Sequence, residues 1–328
     1  MTLAARPVGL PRLTHFELAY APVPSPGPGQ VVVRSRYLAL DPHLRPRMNA
    51  SPAVGGRPLA LGEVMEGAAV GQVVRSEDPR FRTGDTIEGM LGWQEYALAG
   101  GGELRKLDAG SAPLSATLGV LGLPGLTAYF GLLDVGRARR GETVVVSGAT
   151  GAIGMLAGQI ARLGHCRVVG LASGRGDASW LCDELGFDAT LPSGEVPCGL
   201  AEHCPDGVDV YFDTVGGATT DAVVQRINVG GRICACGQSS QDNLERPEPG
   251  PRWQDRLTAK QARMEGFLVS GYAERFPAAR ERLAGWLAQG ELRCREEVSQ
   301  GLEAAPQAFI AMLNGDSQGH QLVEMGTP

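Results

Sequence analysis

The chain has 328 residues, with 30 Lys and Arg against 36 Asp and Glu, a formal net charge of −6. That balance, without a basic patch, argues against a nucleic-acid partner, and no apolar run approaches the length of a membrane span. Hydrophobic residues make up 43% and charged ones 20%, which suits a packed globular protein long enough for two domains.

The opening stretch, MTLAARPVGLPRL, lacks a continuous apolar core. No signal peptide is expected, and a cytoplasmic location follows. Residues 1 to about 115 are rich in proline, glycine and short strand signals. Gln30–Ser35, Ala68–Arg75 and Trp93–Ala97 read as strands, with turns at Pro26–Gly29 and Thr83–Asp85. A β-rich domain is expected there. The first half of the chain contains no cysteine, and its histidines are His15 and His43. A catalytic zinc held by soft ligands in that domain is therefore not expected.

From Thr143 onward strands alternate with helices, which predicts a parallel sheet. Strands are predicted at 143–147, 167–172, 208–213, 231–236 and 265–269. Helices are predicted at about 153–164, 177–185, 217–228 and 274–289. The polar, proline-rich stretch Gln238–Pro251 is long for a connection and reads as a functional loop. The seven cysteines, at 166, 182, 198, 204, 234, 236 and 294, follow neither a disulfide framework nor a C-x-x-C zinc spacing. Cys234 and Cys236 alternate with apolar residues and read as structural thiols.

Thr143–Gly154, TVVVSGATGAIG, is the most informative stretch. An apolar strand stops at a glycine turn, and a helical pattern follows. This is the context of a dinucleotide fingerprint. Gly151 would let the backbone approach a pyrophosphate, and Gly154 would let helix and strand pack closely. The N–H groups at the helix start, through Ala152 and Ile153, would face the phosphates. The next strand ends at Leu171-Ala172-Ser173-Gly174 without the acid that would hold a ribose 2′-hydroxyl. Arg175 follows and could pair with a 2′-phosphate, which favours NADP(H) over NAD(H).

Several segments together resemble the zinc-independent medium-chain dehydrogenase/reductases, in the prostaglandin reductase and alkenal/enone double-bond reductase branch. They are Leu40–Arg45, Trp93–Tyr96, Gly122–Leu133, Gly141–Gly154, Leu185–Ala189, Asp209–Gly217, Gly230–Gly237, Met264–Val269 and Leu313–His320. The resemblance implies an α/β fold: a GroES-like β-rich catalytic domain (1–115), a Rossmann doubly wound parallel-sheet domain (116–292) and a C-terminal segment (293–328) returning to the first domain. It also implies a homodimer, NADP(H), and hydride transfer to the β-carbon of a small α,β-unsaturated carbonyl.

By position in the family, the cofactor residues would be Thr127, Gly151–Gly154, Thr214, Cys236, Gly237, Gln238, Asp242, Phe267, Leu268, Val269 and Ser317, and the end of the second strand adds Ser173 and Arg175. The chain departs from the family where a tyrosine is common and His43 stands. It departs again where Asp177, Asp242, Ser317 and His320 replace polar family residues. His43 is the expected donor to a developing enolate, with Tyr272 as a second candidate. A quinone or carbonyl reductase on the same scaffold, or a nucleotide-binding protein of reduced turnover, are the alternative readings.

Overall fold

The computed structural model describes residues 1–51, 56–108, 110, 112–172 and 178–326. It divides into two units, one of residues 1–118 with 296–328 and one of residues 119–295.

The first unit opens with β1 (Thr2–Leu3) and β2 (Phe16–Glu17), paired antiparallel. β3 (Gln30–Ala39) is its organising strand. Val31, Val32 and Val33 are buried on both faces of it, as a central strand requires. The short helix α1 (Leu44–Arg47) follows directly. β4 (Ala69–Ser76), β5 (Thr86–Gly89), β6 (Tyr96–Gly100) and β7 (Arg105–Lys106) complete this stretch, before α2 (Leu114–Leu118). β3 pairs antiparallel with both β4 and β6.

The strand predicted at Trp93–Ala97 begins only at Tyr96. Trp93 is fully buried, stacked on Phe16 with centroids 5.9 Å apart. Its N–H bonds to the Met65 carbonyl, and Gly92 before it has φ +74. Core packing of one large ring therefore holds this segment in a turn and delays the ladder.

The second unit contains α3 (Leu123–Phe130), β8 (Thr143–Ser147), α4 (Ala152–Leu163), β9 (Arg167–Ala172) and α5 (Trp180–Asp183). It continues with β10 (Ala189–Pro192), α6 (Val196–His203), β11 (Val208–Asp213), α7 (Gly217–Gln225) and β12 (Ile227–Ala235). α8 (Gln254–Lys260), β13 (Arg263–Gly266) and α9 (Phe276–Ala288) close it. Its strands form a six-stranded parallel sheet in the order β10-β9-β8-β11-β12-β13. Every residue of β8 is buried, the signature of a central parallel strand.

The β10–α6 pair was not foreseen, because its strand is only four residues long and carries no clear periodicity. β12 starts four residues earlier than predicted and ends at Ala235. The register shift between Val208 and Val210 lets Ile227 pair with Val208. β13 stops at Gly266 rather than 269. Beyond it, Val269–Arg275 winds into a 3₁₀ turn that stacks Tyr272 on Phe130, centroids 4.6 Å apart. The helix predicted at 177–185 spans only Trp180–Asp183 among the described residues. α7 ends at Gln225, where Arg226 caps it and the chain enters β12 directly.

The chain then returns to the first unit through β14 (Glu296–Gln300), α10 (Ala305–Asn314) and β15 (His320–Glu324). β15 lies between β14 and β3, pairing Leu322 with Ala39. Phe309 of α10 meets Trp93 edge-on at 5.4 Å. The last segment is thus part of the first unit's sheet and core.

Candidate active site

In the second unit the chain runs from β8 outward to β9 and β10, then back to β11 on the other side of β8. The crevice at the carboxyl ends of β8 and β11 is a topological switch point, where open α/β sheets bind ligands. The glycine turn lies there. The Gly151 N–H donates to the Gly148 carbonyl at 2.9 Å, and Gly151 is the N-cap of α4. The first N–H groups of a helix have no intrahelical acceptor and face outward.

Two glycines of the turn have different reasons to be glycine. A Cβ on Gly154 would lie 2.2 Å from the Gly148 carbonyl oxygen, so the protein's own packing forbids a side chain. A Cβ on Gly151 would meet only that oxygen, at 3.3 Å, and its φ of −88° is ordinary. Nothing inside the fold demands glycine at 151. The space it leaves is an open cradle over the helix start.

Asp213, 4% exposed at the end of β11, holds this region together. Its Oδ1 accepts the Ser147 hydroxyl (3.1 Å), the Tyr211 hydroxyl (3.0 Å) and the N–H groups of Val215 (3.1 Å) and Gly216 (2.9 Å). Its Oδ2 accepts the Thr220 hydroxyl. The Thr214 N–H donates to Ser147 Oγ at 2.9 Å, and the Thr214 hydroxyl to the Ser147 carbonyl at 3.0 Å. A buried carboxylate is stable when enough donors surround it. Burial pushes the Tyr211 hydroxyl well above its usual pKa, with the nearby Asp213 charge acting in the same direction, so it remains a donor.

The loop after β12 is fastened to the same turn. Cys236 and Gly237 donate N–H bonds to the Asp213 carbonyl at 2.8 and 3.1 Å. Ser239 donates to Thr214 O and Ser240 to Val215 O. The structure therefore gathers Gly151–Gly154, Thr214 and Cys236–Gln238 at the ends of three adjacent strands. Asp242 caps the short turn Ser239–Gln241 that continues this loop. Burial raises the Cys236 thiol to about 12, which keeps it protonated.

Phe267, Leu268 and Val269 follow β13, one strand further along. Phe267 meets Tyr272 edge-on at 6.5 Å. Thr127 is buried in α3, one turn before Phe130. Tyr272 is stacked on Phe130 with the Arg275 guanidinium 5.8 Å from its ring centre. Burial raises its pKa first of all, so it too keeps its proton. Ser173, Arg175 and Asp177 lie outside the described residues.

In the first unit, His43 is exposed and forms the N-cap of α1 without a side-chain capping bond. The turn is closed by backbone, the Leu44 N–H to Asp41 O and the Arg45 N–H to Pro42 O. Ser317 lies in the loop before β15. Antiparallel pairing of β15 with β3, extended by the Leu40 N–H bond to Gln321 O, brings the 41–43 turn and the 317–320 loop to one end of that strand pair. His320 is buried there. Desolvation lowers its pKa, while the Asp41 charge opposes that shift.

Sequence reasoning did not single out Ser147 or Asp213. An acid closing an apolar strand just ahead of Thr-Val-Gly-Gly was the available signal.

Two family models match the chain. One, described as the N-terminal domain of oxidoreductase, covers residues 1–107, and one described as a zinc-binding dehydrogenase covers residues 152–285. The chain is 40% identical over 330 residues to the NADPH-dependent curcumin reductase of Escherichia coli, covering 98% of this chain and 95% of that protein. It is 38% identical over 324 residues to prostaglandin reductase 1 of Rattus norvegicus, covering 96% and 95%. The crystal structure of CurA in complex with NADPH from Vibrio vulnificus superposes with a TM-score of 0.94 at 39% identity, covering 100% of this chain and 99% of that one.

The chain belongs to the zinc-independent medium-chain dehydrogenase/reductases, in the prostaglandin reductase and alkenal/enone reductase branch. Although one description names zinc, the first 164 residues supply no cysteine to hold a catalytic one. Every cysteine stands at 166 or later. In the first 164 residues the histidines are exposed His43 and His15, whose Nδ1 already accepts the Arg12 N–H at 2.8 Å. No step is assigned to a metal.

Proposed function

We propose that the protein reduces the carbon–carbon double bond of α,β-unsaturated ketones and aldehydes at the expense of NADPH. The observation that carries this reading is the open cradle at Gly151, at the switch point of a chain similar from end to end to an NADPH-dependent curcumin reductase and to prostaglandin reductase 1. The residues present fit a dinucleotide. A glycine that the fold itself does not need, next to free helix-start N–H groups, leaves room for a pyrophosphate.

Bound NADPH supplies a hydride to the electrophilic β-carbon of the substrate. The chain's residues position and stabilise. Gly151–Gly154 receive the pyrophosphate. Thr127, Ser173, Thr214, Cys236–Gln238, Asp242, Phe267–Val269 and Ser317 border the cofactor, and Arg175 takes the ribose 2′-phosphate. His43 donates to the oxygen on which enolate charge develops, where a donor acts most strongly. Its side chain is free of intraprotein capping bonds and therefore available. Tyr272 is the alternative donor, committed by stacking to an aromatic cluster but with its proton retained.

We read the working form as a homodimer. β13 ends the second unit's sheet, and among the described residues its partner is β12 alone, so one of its edges is open to a second copy. No helix among the described residues is long and apolar enough to cross a membrane.

The test is NADPH oxidation with enones, enals and quinones, products identified by mass spectrometry. Saturated aldehydes and ketones are expected. Turnover confined to quinones would replace this reading with that of a quinone reductase.

A further inference from the structure

The first unit contains a cavity of about 460 Å³, within the range of small-molecule sites. Val64 and exposed Met90 give it apolar walls, and Arg47, Glu66 and Gln94 give it polar ones. Its position follows from α1. His43 has helical dihedrals as the N-cap, and Arg47 is four residues later. Positions i and i+4 share a helix face. The proposed carbonyl donor and the polar wall of the cavity therefore belong to one face of one short helix.

The charges of this wall are arranged in a particular way. Arg47 Nη2 bonds Glu66 Oε1 at 2.7 Å, and Arg47 Nε bonds the Arg57 carbonyl at 2.9 Å. The Nε–Nη2 edge, one of the two guanidinium edges that can grip a carboxylate with two parallel bonds, is thus already engaged. Arg47 is also well covered, with 13% of its side chain exposed, whereas Glu66 keeps 29%. What the wall offers a ligand is chiefly the Glu66 carboxylate, an acceptor. Gln94 is held by its own bond to the Leu91 carbonyl at 2.7 Å. Met90 supplies an adaptable apolar surface beside it.

We propose that this cavity is the subsite for the tail of the unsaturated carbonyl, and that Glu66 selects apolar or aromatic tails bearing a hydroxyl over tails bearing a carboxylate. A hydroxyl donates to Glu66 without disturbing its pair with Arg47. A carboxylate meets the Glu66 charge and must compete with it for one guanidinium. The proposal rests on the enone-reductase reading above.

The experiment compares three enones: 4-phenylbut-3-en-2-one, its para-hydroxy derivative and its para-carboxylate derivative. For each, kcat/KM with NADPH is measured in wild type, Glu66→Gln and Met90→Trp, after circular dichroism has compared their folds. In wild type, kcat/KM for the hydroxy compound relative to the carboxylate should be about tenfold above unity, the scale of one hydrogen bond to a charged group. Glu66→Gln should narrow that ratio severalfold by removing the charge while keeping an acceptor for Arg47. Met90→Trp, which fills the mouth, should lower both substituted enones relative to the parent. Should Glu66→Gln not fold, the Met90→Trp comparison decides. Reduction of all three enones with ratios that neither variant changes would overturn the subsite and leave the double-bond reduction standing. Failure of all three to react would overturn the enone reading, and the subsite with it.

Discussion

The Ser147 hydroxyl lies 3.1 Å from the Asp213 carboxylate, joining the carboxyl ends of β8 and β11. Ser147 begins the glycine turn, and Asp213 begins the Thr-Val-Gly-Gly turn. One buried carboxylate therefore sets the spacing of both walls of the crevice. Through its backbone carbonyl, Asp213 also fixes Cys236 and Gly237, so a third loop shares the same anchor.

Asp213→Ala should be among the most damaging substitutions in the second unit. It would leave three hydroxyls and two N–H groups without their acceptor in a site closed to solvent. A loss of about 3 kcal/mol in unfolding free energy is expected, together with weaker NADPH binding. Ser147→Ala should cost about 1 kcal/mol. Urea denaturation with calorimetric titration of NADPH measures both effects. Wild-type stability in Asp213→Ala would show that the network is dispensable.

The two glycines of the turn should separate fold from binding. Gly154→Val sets a side chain against the Gly148 backbone and should destabilise the protein, read as a lower thermal midpoint. Gly151→Val asks its neighbour to shift by only a few tenths of an ångström and should leave the fold nearly intact. Its NADPH affinity should fall by more than tenfold because the cradle is filled. Equal losses of stability in the two variants would refute the distinction.

His43→Ala should lower kcat and kcat/KM for an enone while leaving NADPH affinity nearly unchanged, the pattern of an interaction made in the transition state. Removal of one preorganised donor costs about 10²–10³ in rate when it dominates. A smaller loss is expected here, because a ribose hydroxyl of NADPH would still be available as a donor. His43→Tyr should retain more activity than His43→Ala. Wild-type turnover in the alanine variant would reduce His43 to a helix-capping position and pass the role to Tyr272.

Much of this site was legible in the sequence, because strand, glycine turn and helix are adjacent there and their chemistry is local. The edges of β8, β9 and β11 coincide with apolar runs that end at polar or glycine residues. What the sequence hid depends on distant partners. Trp93 sits in a turn because it packs between Phe16 and Phe309, which lie far away along the chain. β13 stops early because Tyr272 stacks on Phe130, and no local pattern reports that contact. Asp213 resembled an ordinary strand-end acid until the fold brought Ser147 to it.

Stability should be greatest in a window near neutral pH. Burial pushes the Cys166 and Cys204 thiols up to about 11 and the Cys234 thiol up to about 12, from an unfolded value of 9.0. Their contribution is full below pH 9.0 and is lost as pH rises through 11 to 12. His320 is shifted the other way, below 6.5, by burial. Its neutral form fits the fold, so this contribution is present above pH 6.5 and declines as pH falls below that value. Urea midpoints measured from pH 5 to 10 should fall at both ends, and His320→Gln should flatten the acid side. A midpoint that stays constant across that range would contradict both assignments.

The proposed reaction delivers hydride to the β-carbon rather than to the carbonyl. NADPH carrying deuterium at the transferable C4 position, on either face in separate samples, should be incubated with 4-phenylbut-3-en-2-one and the product examined by NMR. The expected product is 4-phenylbutan-2-one with deuterium from one of the two samples on the benzylic β-carbon. Deuterium on a carbinol carbon, in an alcohol that keeps its double bond, would contradict it.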